Sequence, residues 1–471
     1  MSRIDPRPGA VIDGFLLEQE IHRGGMATIW RVASPDHKAP ICMKIPLILD
    51  GDDPGAIVSF EAEQMIMPRL TGPHVPRFHA AGDFARTPHI VMELVQGEPL
   101  SKVVERAPLP WDDVAAIGAE IAQALHALHR QGVNHLDVKP ANILLRPGGQ
   151  AVLIDFGLSR HADLPDLLAE ESSLPIGTGA CIAPEQVLGR RTDKRSDLFA
   201  LGVILYRLAT GRFPFGEPES HSALRERLWK DPAPPRKLRP DLPKSAQEII
   251  LRALAVDPEQ RYPSAAQLSY DLRHPNHVRL TARADLLDGD GWWTVMKRRR
   301  RAPKSLPPNP LAGQRGGQAP IIAVAVDMSE PQIMLADAVR AMVGRILQLE
   351  PQARLICLNV LKTSRIGMDQ MVTDEGESLH VRRLVELKDW ATPLSLPEEQ
   401  ISHHVIEAPD PVDAIVAFIA QNGVDHLVMG ARSASPFRRY LGSVSAAVVA
   451  QASCSVTIVR LPAREDAEAA A

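Results

Sequence analysis

An α+β part followed by an α/β part with a five-stranded parallel sheet is the fold class the sequence predicts, and three observations predict it. Strand-like runs near the N-terminus give way to helical spacing from Trp111 onward. Towards the C-terminus, short apolar runs alternate with helical segments, the pattern of a parallel sheet covered on both faces. Between the two lies a stretch rich in arginine and proline. The length fits this division, because 471 residues exceed what one hydrophobic core usually organises.

Composition narrows the function classes. Hydrophobic residues at 45% and charged residues at 23% are ordinary for a soluble globular protein. A net charge of −4 gives no reason to expect nucleic acid as a partner. Cys42, Cys181, Cys357 and Cys454 are too few and too scattered for a disulfide framework or a zinc site, so they read as reduced thiols of a cytoplasmic protein. Residues 1–10 lack the apolar core of a signal peptide, and no apolar run approaches the length of a transmembrane segment.

Taken in order, residues 15–45 read as strands joined by a Gly-rich turn, Ile21 to Trp30, in which Gly24 and Gly25 let a hairpin backbone lie close over phosphate oxygens. Ile41-Cys42-Met43-Lys44 continues on a strand. A helical pattern then runs from Phe60 through Met67 and Leu70, carrying Glu61 and Glu63. Ile90 to Val95 reads as a buried strand. Apolar residues at Val114, Ile117, Ile121, Leu125 and Leu128 mark a helix over 111–131 that stops at Gly132.

That helix delivers His135-Leu136-Asp137-Val138-Lys139-Pro140-Ala141-Asn142. A carboxylate, an ammonium and an amide at this spacing fit one tight loop, where they can hold a hydroxyl, a phosphate and a metal ion. The stretch resembles the catalytic loop H-R-D-x-K-P-x-N of serine/threonine protein kinases. Other motifs follow in that family's order: Ile41 to Lys44 for V-A-I-K, Asp155-Phe156-Gly157 for D-F-G, Ala183-Pro184-Glu185 for A-P-E, Asp197 in the helix behind the catalytic loop, and Arg261 for the partner of Glu185. The best match is the bacterial branch of eukaryotic-like kinases, over residues 11–275.

The resemblance implies a bilobal kinase fold, ATP and Mg²⁺ as cofactors, and protein hydroxyls as substrates. Lys44 would bind the phosphates with Glu63 as its partner by spacing, Glu61 being the alternative. Ile21, Gly24, Gly25, Ile29, Met92 and the backbone of Glu93 and Val95 would contact ATP. Asn142 and Asp155 would bind the metal, Asp137 would orient the acceptor hydroxyl, Lys139 would neutralise the transferring group, and Thr178 would sit in the substrate loop. The Gly-rich loop departs from G-x-G-x-x-G, with His22 and Ala27 at two glycine positions, and Gly179 and Cys181 replace the usual Pro and Tyr. Leu136 replaces the Arg that normally receives an activation-loop phosphate, so activity is expected not to depend on phosphorylation at Ser159, Ser172 or Ser173. The alternative function is a pseudokinase scaffold that binds nucleotide without turnover.

Residues 276–319 read as an extended connector without a core of its own. Its Trp292-Trp293 pair and the run Lys297 to Arg301 suggest either tryptophans packed on the neighbouring domain, which is preferred, or a patch for an anionic surface. In residues 320–461, strands at Ile321–Val326, Leu355–Val360, His404–Ile406, Leu427–Met429 and Val456–Val459 alternate with helices at Pro331–Leu349, Asp413–Gln421 and Ser443–Gln451. Asp327 after the first strand, Gly430-Ala431-Arg432-Ser433 and Gly442-Ser443 resemble the universal stress protein family. That resemblance implies a second nucleotide site at Asp327, Gly430, Gly442 and Ser443, stress sensing that regulates the kinase, and a possible homodimer along the last strand, Ser455 to Arg460. The phosphate cradle of the family has Ser433 in place of a glycine and a shorter loop here.

Overall fold

The structure is a computed structural model that describes residues 5–47, 54–171, 177, 179–218, 220–302, 319–328, 333–363, 378–431 and 443–461. It contains two compact units, one holding most of residues 5–302 and the other residues 319–461.

The first unit begins with an antiparallel sheet. Its strands are β1 (Val11–Ile12), β2 (Phe15–Arg23), β3 (Ala27–Ser34), β4 (His37–Pro46), β5 (Phe78–Gly82) and β6 (His89–Glu93), in the order β1-β2-β3-β4-β6-β5. One face packs Leu17, Trp30, Val32, Ile41, Met43, Ile45 and Val91 into a small core. Helix α1 (Pro54–Ile66) accompanies this sheet.

The chain then turns mainly helical. Short β7 (Glu98–Pro99) and α2 (Leu100–Val104) lead to α3 (Trp111–His129). Paired segments β8 (Val133–Asn134), β9 (Ile143–Leu145), β10 (Ala151–Leu153) and β11 (Arg160–His161) carry the loops of the site. There follow α4 (Leu167–Glu171), α5 (Pro184–Val187), α6 (Arg195–Thr210), α7 (His221–Arg225), α8 (Pro235–Leu238), α9 (Lys244–Ala253) and α10 (Ala265–Arg273).

Helix α6 is apolar around most of its circumference from Leu198 to Ala209, so it is buried on all sides. It ends where Gly211 adopts φ +76°, a left-handed cap that residues with a Cβ rarely accept. Gly118 lets α3 come close to α6, since a Cβ there would meet Leu205 Cδ2 at 2.4 Å. The main core lies among α3, α6, α9 and α10.

The expected extended connector is partly ordered structure. Buried Gln247 on α9 donates to the carbonyls of Arg283 and Leu286, both at 2.8 Å, and Glu248 accepts from Thr281, which seats residues 281–286 on the helical lobe. Helix α11 (Trp292–Arg301) follows. Its tryptophans do not pack on the lobe as the sequence suggested: Trp292 is 62% and Trp293 79% exposed. The lobe-facing side is taken instead by Arg298, which pairs with Asp231 at 2.9 Å and Asp290 at 2.8 Å.

The second unit is β12 (Ile321–Ala325), α12 (Ile333–Leu349), β13 (Arg354–Lys362), α13 (Leu379–Ala391), β14 (Ile401–Ala408), α14 (Pro411–Asn422), β15 (His426–Gly430), α15 (Ser443–Gln451) and β16 (Ser455–Val459). All five strands are parallel, in the order β14-β13-β12-β15-β16. Two apolar clusters, one against α12 and α13 and the other against α14 and α15, explain why the strands are apolar on both faces. Helix α13 was not anticipated from the sequence.

Candidate active site between the lobes

The register of the first sheet positions the central cation. Lys44 on β4 lies opposite Ile29 on β3 and Ile90 on β6, which aims its side chain away from the core that takes Met43 and Ile45. Its ammonium reaches Glu63 Oε2 at 2.6 Å and Asp155 Oδ1 at 2.8 Å. Glu61 lies two residues back on α1 and so projects from the other side of the helix.

Burial disfavours the Lys44 ammonium, but Glu63 and Asp155 outweigh it and hold its pKa above the usual lysine value. Burial raises Glu63 above the usual carboxylate range, with Lys44 pulling the other way. Asp155 is held down at about 2, first by the charge of Lys44, and keeps 44% of its side chain exposed to the cleft. Both carboxylates share one cation, which ties α1 to the loop after β10. Asp155 adopts φ +67°, and that left-handed kink lets Phe156 turn into the core, where its ring lies 5.3 Å from His135.

The loop after β8 is suspended from a single carboxylate. Asp197 on α6 accepts from the Leu136 amide at 2.7 Å, the His135 amide at 2.9 Å and His129 Nε2 at 2.8 Å. Burial alone would raise the Asp197 pKa, yet these donors, His129 foremost, hold it below the ordinary 3.8. Leu136 sits at φ +62°, 3% exposed, with its carbonyl taken by Gln186 Nε2 at 2.8 Å. The turn thus fixed presents Asp137, whose carboxylate meets Lys139 Nζ at 2.7 Å and Asn142 Nδ2 at 3.0 Å. The Ile154 amide donates to the Asn142 carbonyl at 3.0 Å, so the loops of Asn142 and Asp155 adjoin.

Two carboxylates, Asp137 and Asp155, the Asn142 amide and the ammonium groups of Lys44 and Lys139 are therefore brought together. Hard oxygen donors such as Asp155 and Asn142 suit Mg²⁺ when phosphate oxygens complete its shell. No cluster of three or more His, Cys, Asp or Glu able to hold a metal alone occurs among the described residues.

Gly24 and Gly25 sit at the tip of the β2–β3 hairpin, which is closed by the Gly24 amide on the Ala27 carbonyl at 2.9 Å; Ile21 and Ile29 stand on its two strands. Met92 and Glu93 end β6, with the Glu93 amide bonded to the Arg77 carbonyl at 2.8 Å. Val95 follows in the hinge. Thr178 lies outside the described residues, as do Ser172 and Ser173.

Further along the chain, Glu185 forms a buried pair with Arg261, with two contacts of 2.7 Å, and accepts from Ser196 Oγ at 2.6 Å. Three contributors were missed from sequence. His129 and Gln186 secure the turn from either side, but neither carries a motif. Arg227 is 1% exposed and donates to the carbonyls of Gly179 at 2.9 Å and of Ile182. It holds the segment where Gly179 and Cys181 stand, and no local pattern announces it.

In the second unit, a cavity of about 740 Å³ opens at the carboxyl ends of β12 and β15. These strands flank the point where the chain order of the sheet reverses, the usual place for a ligand in such sheets. Asp327, Gly430 and Ser443 all line it, together with Asn359, Lys362 and Arg383. Gly442 lies outside the described residues.

Comparison with known proteins agrees with this geometry. Residues 15–272 match the protein kinase domain family, and residues 320–460 match the universal stress protein family. The chain belongs to the protein kinase family and joins a kinase domain to a universal stress protein domain. It is 33% identical over 268 residues to the serine/threonine-protein kinase PknA of Mycobacterium tuberculosis, covering 55% of this chain and 61% of that one. It is 32% identical over 327 residues to the serine/threonine-protein kinase Pkn1 of Myxococcus xanthus, covering 68% of this chain and 46% of the other. The chain thus spans about half to three fifths of the length of these relatives. A solved kinase domain, that of PknI of Mycobacterium tuberculosis, is 26% identical, with a TM-score of 0.45 over 57% of this chain and 99% of that chain. Among the described residues no helix is long and apolar enough to cross a membrane.

Proposed function

We propose that the chain is a serine/threonine protein kinase that transfers the γ-phosphoryl group of ATP to a protein hydroxyl. Asp137 orients the acceptor hydroxyl and takes its proton, and Lys139, 2.7 Å away, offsets charge on the transferring group. Lys44 holds the phosphates, kept in place by Glu63. The backbone of Glu93 and Val95 pairs with adenine beneath Met92, and Gly24 and Gly25 with Ile21 and Ile29 cover the nucleotide. Asp155 and Asn142 would hold Mg²⁺, which supplies charge neutralisation when bound. Thr178 would take its part beside the acceptor.

The observation that carries this reading is the shared contact of Lys44 with Glu63 and Asp155. A scaffold that binds nucleotide without turnover could use these three groups, but it has no need of Asp137 and Lys139 set 2.7 Å apart beside them. Transfer from γ-labelled ATP to the chain itself or to a basic protein tests it: wild type labels, and Asp137→Asn falls at least about 100-fold. Equal labelling by both would refute the assignment.

The cavity of the second unit supports a second nucleotide site, with Asp327 at the base end and Gly430, Gly442 and Ser443 at the phosphates. Ser443 opens α15, whose amide end favours anions. In this reading nucleotide occupancy there tunes the kinase inside the cytoplasm. Strand β16 is an edge of its sheet, which suits pairing with a second copy.

A further inference from the structure

Helix α11 is mounted on the kinase unit by one side and leaves the other unclaimed. Arg298 is clamped between Asp231 and Asp290, and Asp290 also accepts from the Asp231 amide at 3.2 Å. Arg299 lies over the Trp229 ring, 5.7 Å from its centre. These two contacts fix the rotation of the helix. Residues 293, 297, 300 and 301 then share the opposite face by helical spacing. That face carries one indole and three cations, with Trp292 on its flank.

Two observations indicate what the face meets. Among the described residues, no hydrogen bond or ion pair engages the side chains of Lys297, Arg300 or Arg301, in a chain whose net charge is negative. Exposed apolar side chains also precede the cations in the chain: Leu280, Leu286, Leu287, Trp292 and Trp293 are all 44% exposed or more. Indoles beside arginines could stack on unpaired bases, but exposed leucines have no use for a base, whereas a bilayer interface accepts leucine, tryptophan and cation together.

We infer that α11 and the segment before it dock on an anionic lipid surface. The indoles and leucines enter the headgroup boundary while Lys297, Arg300 and Arg301 meet lipid phosphates. Docking would hold the active site near membrane-associated substrates. The inference does not depend on the kinase assignment, because it uses no residue of the cleft.

The test is sedimentation of the full chain with vesicles of phosphatidylcholine alone or doped with phosphatidylglycerol, with collisional quenching of tryptophan by brominated lipid. Binding should require phosphatidylglycerol, weaken with salt, and bring quenching. The triple variant Lys297→Gln, Arg300→Gln, Arg301→Gln should bind about 100-fold more weakly, at roughly five-fold per cation lost. Trp292→Ser with Trp293→Ser should bind weakly and lose the quenching. All five side chains are on the surface, so the variants keep their fold and a loss of binding is attributable to the face. Equal binding to both vesicle types, undiminished binding by the triple variant, or tighter binding of single-stranded RNA than of anionic vesicles would overturn the inference.

Discussion

Asp197 shows how much of the site rests on one buried side chain. Three donors converge on it, so replacing one oxygen by an amide turns a donor towards a donor. Asp197→Asn is expected to cost about 3 kcal/mol and to lower labelling, as the Asp137 turn loses its suspension. The pH dependence has a definite sign. A carboxyl held below its ordinary 3.8 adds stability that is fully present above that value and is lost as pH falls through the lowered pKa. The gap in thermal midpoint between wild type and Asp197→Asn should therefore be full near neutral pH and shrink below about pH 4. A gap independent of pH would count against this account. At this scale the sequence was most informative where chemistry needs particular atoms, as at Lys44, Asp137 and Asp155, because spacing on a strand or a tight loop carries geometry. It was silent on His129, Gln186 and Arg227, whose roles arise from elements brought together only by folding.

The activation segment and the helices illustrate what is legible in elements. Helix α3 and the five parallel strands announced themselves through sustained periodicity, whereas α13 did not. Its buried positions Val381, Leu384, Leu387 and Ala391 do follow helical spacing, but charged residues sit between them, and Ser378 at its start makes no side-chain capping bond. The connector failed as a prediction for another reason: α11 is helical because Gly291 starts it and four arginines favour its last turn, and the basic run was read only as a solvated tract. In the catalytic loop, Leu136 stands where an arginine would receive an activation-loop phosphate, and its backbone is held by Asp197 and Gln186, so that position offers no cation. Ser159 is buried and donates to the His135 carbonyl at 3.1 Å, which removes it as an accessible phosphate acceptor. Replacing Ser172 and Ser173 by alanine should consequently leave the rate of transfer to an added protein within about two-fold of wild type. A drop to background would mean that phosphate on this segment finds another receptor.

For the whole molecule, two domains on one chain invite coupling, and the cavity of the stress-protein domain is where it can be tested. Domain order and both sheet types could be read from the alternation of apolar runs, but the cavity could not, since it forms from the ends of β12 and β15, which lie about a hundred residues apart in sequence. Gly430 is the lever. A Cβ there would meet Leu335 at 2.8 Å, so Gly430→Val crowds the cavity wall while leaving the kinase cleft untouched. The full chain should bind two equivalents of ATP by equilibrium dialysis, and Gly430→Val one. Labelling by wild type should respond to adenine nucleotide at concentrations beyond saturation of the cleft, and the variant should lose that response. Linkage requires the converse as well: a kinase state that changes affinity at the cavity must be changed by its occupancy to the same degree. One equivalent bound by wild type would remove the second site, whereas two equivalents with an unaltered kinase response would leave a site that binds without controlling.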